Sequence, residues 1–124
     1  MRRSLLAIGL LVAAVLALGT LPPSVTAGCV LNCNARCLGH NTVSISWDLI
    51  CTGSACRVLG MTLSIGCFPD GHWKVIAKDP KPPYIDHPNI PCPGVNVFYK
   101  IEVDWRCDDA EGHSTCVTDG VRCP

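Results

Sequence analysis

The chain predicts an all-β fold: a small disulfide-stapled antiparallel β-sandwich with a cysteine-rich N-terminal loop or short helical turn. Three observations carry this. Several stretches alternate apolar with polar residues, the period of a strand that buries one face. Ten cysteines stand in 124 residues, all of them behind an apolar leader. Prolines crowd one connector, and residues before proline avoid the helical region.

In chain order, "MRR" precedes "SLLAIGLLVAAVLALG", and the small residues Val25, Thr26 and Ala27 suit cleavage after Ala27, so residues 1–27 read as a secretory signal peptide. The apolar run is shorter than the roughly 20 residues of a bilayer span. Pro22 and Pro23 end it, which disfavours a membrane anchor. Residues 28–124 then form a single cysteine-rich β domain, of a size at which a hydrophobic core alone is marginal.

Cysteine is expected to supply the remainder. Cys29, Cys33, Cys37, Cys51, Cys56, Cys67, Cys92, Cys107, Cys116 and Cys123 are even in number, which in an exported chain reads as five disulfides. Ten cysteines allow roughly 945 pairings, so spacing does not choose the connectivity. No pair has the two-residue spacing of a zinc knuckle, and no metal site is expected.

Cys29, Cys33 and Cys37 recur every four residues and would share a helical face. The run "GCVLNCNARCLGHN" is short and rich in Gly and Asn, so a single turn inside a pinned loop fits as well as a true helix. In "TVSISWDLI", Val43, Ile45, Trp47 and Leu49 alternate with polar residues and predict a strand. "LGMTLSIGC" places Met61, Leu63, Ile65 and Cys67 on one side. After the turn signal Pro69 to Gly71, "HWKVIAK" places Trp73, Val75 and Ala77 on one face, which predicts a hairpin. The connector "KDPKPPYIDHPNIPCPG" is expected to be extended and stiff. In "VNVFYKIEVDW", Val95, Val97, Tyr99, Ile101, Val103 and Trp105 alternate with polar neighbours and Phe98, the longest strand pattern in the chain.

Charge narrows the partners. The chain has 10 Lys and Arg against 10 Asp and Glu; removal of Arg2 and Arg3 with the leader leaves eight against ten. No basic stripe remains, so neither nucleic acid nor an anionic membrane surface is an expected partner. No membrane insertion of the mature chain is expected. No Asn-x-Ser/Thr triplet occurs, and no N-linked glycan is expected.

The order of these patterns, with "NTVSISWDL" early and "CPGVNVFYKIEVDWRCDDAEGHST" late, resembles a fibronectin type III or related immunoglobulin-like sandwich over residues 41 to 120. The resemblance implies that Trp47 is the core tryptophan of the second strand. It also implies that Tyr99 follows a "PG" turn into the sixth strand, and that "DDAEGHST" is the hairpin leaving it. The many cysteines, the cysteine-rich head and the short final strand depart from that pattern.

One stretch invites a catalytic reading. "RCDDAEGHSTC" crowds Asp108, Asp109, Glu111 and His113 between two cysteines. With Thr115 to Val117 pairing back on the preceding strand, Asp108 to His113 is expected to be a solvated hairpin loop. A helix-flanked calcium loop needs a longer run of spaced oxygen ligands. Adjacent exposed carboxylates also lack the burial that tunes a general acid. His40, His72 and His87 fall at loops and turns, and no nucleophile elbow or zinc-protease helix occurs. No catalytic residue and no cofactor is called for, and a non-enzyme is expected.

Binding remains. "PKPPYIDHPNIP" presents Tyr84 and Ile85 from a chain already restricted by proline, so little conformational entropy would be lost on docking. Tyrosine is a favoured anchor. The alternative is that Tyr84 and Ile85 fold back over a sandwich edge. The expected function is a secreted protein that binds an extracellular protein target, first as a toxin-like effector on a channel or receptor, similar in leader, size and cysteine load to cysteine-rich venom proteins. An endogenous recognition or adhesion module is the alternative, and a peptidase inhibitor a weaker third.

These readings fix one measurement. The mature protein should begin at Gly28, and full reduction should add one hydrogen for each of its ten cysteines. Intact mass before and after reduction checks this; titratable thiols in the native protein would refute the five-bridge framework.

Overall fold

Alternation of side chains in most of the strands assigns residues to the space between two sheets or to the outside. The computed structural model describes residues 27–94, 96–108 and 110–124. The leader at 1–27, apart from Ala27, lies outside the described residues, as do Val95 and Asp109. The strands are β1 (Gly28–Gly39), β2 (Thr42–Thr52), β3 (Cys56–Gly66), β4 (Lys74–Lys78), β5 (Tyr84–Asp86), β6 (Phe98–Cys107) and β7 (Ala110–Val117). They form a three-stranded sheet in the order β1-β2-β5 and a four-stranded sheet in the order β4-β3-β6-β7. All pairings are antiparallel.

The inward residues are those the alternation indicated. Val43 and Ile45 from β2, Leu63 and Ile65 from β3, and Tyr99, Ile101, Val103 and Trp105 from β6 are all buried. Trp47 lies on the inward side of β2 but is only partly buried against this cluster, and the buried indole is Trp105. Trp105 Nε1 donates to Ser114 Oγ at 2.9 Å, and that hydroxyl donates to the carbonyl of Cys29 in the facing sheet. The buried polar end of the indole is thereby satisfied, and the two sheets are tied at one end.

The cysteine-rich head is neither a loop nor a helical turn. It is β1, paired with β2 from Gly28 to Gly39. A four-residue spacing is also an even number, so Cys29, Cys33 and Cys37 share the inward face of a strand with Leu31 and Ala35. At the end of β1 the register shifts by one residue at Leu38, and Gly39 pairs with Thr42. His40 and Asn41 make the two-residue turn, with φ of 52° and 54°, the left-handed pair that suits a tight hairpin.

Bulges account for two further departures. β4 does pair with β3, but the register shifts between Leu63 and Ser64. Ile76 is the extra residue. Ile76 and Ala77 therefore pack on the core while Val75 is exposed, so Trp73, Val75 and Ala77 do not share a face as the alternation implied. A second bulge at Leu59, between Val58 and Gly60, restores the inward phase of β3 opposite β6.

The carboxylate stretch also differs from expectation. Cys107 pairs with Ala110, so only two residues join β6 to β7, and Asp108 takes a φ of 46°. Glu111, Gly112 and His113 belong to β7 rather than to a loop. Gly112 lies opposite Trp105, and a Cβ there would overlap the indole ring.

Gly112→Ala should therefore overpack the sandwich and cost about 1–3 kcal/mol. A thermal unfolding midpoint that did not move would show that the Trp105 ring is not held over this position.

Candidate functional site

All ten cysteines are bridged. The pairs are Cys29–Cys51, Cys33–Cys116, Cys37–Cys123, Cys56–Cys107 and Cys67–Cys92. The first lies within the three-stranded sheet, and Cys56–Cys107 lies within the four-stranded one. Cys33–Cys116 joins the edge strands β1 and β7 across the sandwich, and Cys37–Cys123 holds the C-terminal segment. Cys67–Cys92 pins the proline-rich connector. The sulfurs of Cys29, Cys51, Cys56 and Cys107 lie within 4.8 Å of one another. A metal ligand must be a thiolate, and in the bridged state these sulfurs are not.

The connector is extended and tied down. Its segment β5 adds to β2, with Tyr84 opposite Ile45 and Ile85 opposite Ser44. Tyr84 packs against the core, whereas Ile85 is 46% exposed. The structure divides the pair: Tyr84 covers the sandwich edge, and Ile85 faces outward. Asn41 Nδ2 donates to the Pro88 carbonyl at 2.9 Å. The hydroxyl of Tyr99, itself fully buried, donates to Asp86 Oδ2 at 2.8 Å. Burial first, and then this bond to a carboxylate, drive the Tyr99 hydroxyl far above the usual phenol range. It is a fixed donor that anchors β5 to β6.

The two outer faces of the sandwich differ in chemistry. On the four-stranded sheet, charges pair with one another. Lys100 Nζ lies 2.9 Å from Glu102 and 5.1 Å above the Trp73 ring. His113 sits 2.7 Å from Asp104 and 3.3 Å from Glu102. Arg106 lies 3.2 Å from Glu111. These paired groups are partly or largely exposed, so each pair is solvated and contributes little to stability; Arg57, opposite Arg106, and Lys78, opposite Thr62, share the face outside these pairs. Asp108, Glu111 and His113 are thus spread over a turn and a strand, and do not converge on one point. His40, His72 and His87 are exposed and separate.

The outer face of the three-stranded sheet carries two charged side chains, Arg36 and Asp48, among small polar and apolar ones. The register places Val30 beside Ile50, Asn32 beside Asp48, Asn34 beside Ser46, and Arg36, Ser44 and Ile85 in one row. A shallow open hollow of about 270 Å³ is lined by Asn32, Cys33, Asn34, Ser46, Trp47 and Asp48. Apolar side chains rim it, with Val30 and Ile50 at one end and Leu38 and Ile85 at the other, each at least 46% exposed. Of these residues the sequence marks only Ile85 for binding; the face is assembled by strand register, which no local pattern encodes. Comparison of the chain with protein-family models, curated proteins and solved structures finds no match.

The charged face yields a pH dependence. The hydrogen bond to Asp104 is the main cause that raises the His113 pKa above 6.5, with Glu102 adding to it. A raised folded-state pKa means that the stabilisation is complete below the unfolded value and is lost as pH rises through the folded one. Asp104→Asn should return the His113 titration, followed by NMR, toward 6.5, with only a small change in stability because the pair is exposed. An unchanged midpoint would place the cause elsewhere.

Proposed function

We propose that this chain is a secreted extracellular recognition domain that binds a protein partner through the outer face of its three-stranded sheet. The contrast between the two outer faces carries the reading. On one face Lys100, Arg106 and His113 stand in ion pairs with Glu102, Glu111 and Asp104, and the other offers Asn32, Asn34 and Ser46 with two charged neighbours, Arg36 and Asp48, framed by exposed Val, Leu and Ile. Interface cores are depleted of charge, and Asn and Ser provide adaptable hydrogen bonding in recognition surfaces.

Other observations support parts of it. The apolar leader and five bridges fit an oxidising, extracellular setting. The strand order β1-β2-β5 facing β4-β3-β6-β7 and the place of Tyr99 in the sixth strand support reading the domain as a fibronectin type III-like sandwich. A second reading, a toxin-like effector on a channel or receptor, draws on the density of bridges. It uses the same face and differs in consequence, since an effector alters the activity of its target whereas an adhesion module only holds it.

Labelled, oxidised protein spanning residues 28–124 should bind saturably to intact cells from the tissue that produces it, or from the tissue it reaches. Ser46→Arg, in the middle of the outer face of the three-stranded sheet, should weaken binding at least tenfold, equivalent to about 1.4 kcal/mol. Thr115→Arg, on the charged face, should not. Both changes are at exposed positions and should leave stability within about 0.5 kcal/mol. Equal loss from both, or no saturable binding, would remove the proposal. A change in membrane current or signalling on application would favour the effector.

A further inference from the structure

Two bridges, one from each sheet, touch. Cys29 lies directly opposite Cys51 and Cys56 directly opposite Cys107, and the Cys29 and Cys107 sulfurs of the two different bridges are 3.6 Å apart. All four sulfurs fall within 4.8 Å. Cys29 and Cys107 are buried, while Cys51 and Cys56 are partly exposed at the two ends of the β2–β3 loop. That loop turns back through Gly53, whose φ is 119° and whose Cβ position lies 3.7 Å from Cys107 Cβ.

We propose that these four cysteines form a closed thiol–disulfide exchange unit with a second pairing, Cys29–Cys107 and Cys51–Cys56. A small-molecule thiolate attacks the sulfur of Cys51, the less buried residue of its bridge, forms a mixed disulfide there and expels Cys29 as a thiolate. Cys29 then attacks the adjacent Cys107 sulfur. The Cys29–Cys107 bond forms, the Cys56–Cys107 bond breaks, and Cys56 leaves as a thiolate. Cys56 attacks Cys51 in the mixed disulfide, closes the loop bridge and releases the small thiol. Two bridges become two others, no electrons are gained or lost overall, and the thiol is regenerated. The exchange converts two staples within sheets into one staple between sheets and one that closes a loop. Cys33, Cys37, Cys67, Cys92, Cys116 and Cys123 lie outside the cluster and keep their partners.

The test uses the oxidised protein incubated at mildly alkaline pH with a substoichiometric small thiol, quenched with acid, then digested without reduction and mapped by mass spectrometry. Fragments joining Cys29 to Cys107 and Cys51 to Cys56 should rise to at least a tenth of the population at constant intact mass. The other three bridges should not change. Persistence of the original pairing alone, or scrambling of all five bridges together, would overturn the proposal. A second arm removes the partly exposed partners. Cys51→Ser with Cys56→Ser should still yield protein without titratable thiols, because Cys29 and Cys107 bridge directly. Two free thiols in a folded double variant would contradict it, and if that variant does not fold the wild-type map decides.

Discussion

The inward face of β1 is the constraint on which the rest of the structure depends. Three cysteines leave that one strand for three destinations: Cys29 to β2, Cys33 to β7 and Cys37 to the C-terminal segment. The buried apolar cluster is small, and a domain of this size gains little from its core after conformational entropy is charged against it. Bridges that close long loops restrict the unfolded chain most. Cys33–Cys116 and Cys37–Cys123 span 83 and 86 residues. Cys33–Cys116 also joins β1 and β7, the edge strands at one side of the two sheets, so the sides most open to pairing with another chain are held against each other.

The opposite side is closed by different means. β5 is only three residues long, too short to stand alone, and it is held by hydrogen bonding to β2, by Tyr84 on the core and by the Tyr99 hydroxyl on Asp86. A buried phenol without an acceptor would leave an unsatisfied donor. Asp86 removes that cost and at the same time fixes where the proline-rich connector crosses from one sheet to the other. The connector is anchored through Asn41, Asp86 and Cys92, in addition to the restriction its prolines impose.

What could be read from sequence was what alternation encodes locally. β2 and β6 were plain because their apolar residues recur at every second position with polar ones between. β1 was not, because its cysteines stand four apart, a spacing that puts residues on one face of either a helix or a strand. Leu31 and Ala35 between them held the answer, blurred by the apolar Val30 and Leu38 on the other face and by neighbouring Gly and Asn. Glu111, Gly112 and His113 looked like loop residues by type. Each has a strand reason: Glu111 meets Arg106, Gly112 makes room for Trp105, and His113 meets Asp104. Bulges at Leu38, Leu59 and Ile76 change the phase of a strand without any compositional mark. The candidate face was legible only at Ile85, since it arises from register between three strands distant in sequence.

A strand whose inner side carries so much of the architecture is unusually free on its outer side. Asn32, Asn34 and Arg36 contribute neither to the core nor to any bridge, and the neighbouring Ser46 and Asp48 of β2 are equally uncommitted. Side chains at such positions change what the surface meets while the backbone beneath them stays pinned by Cys29, Cys33 and Cys37. Rigid presentation lowers the ordering cost of binding. The same alternation that buries the cysteines therefore divides a single strand: odd positions hold the sandwich together, and even positions form the face proposed to meet a partner.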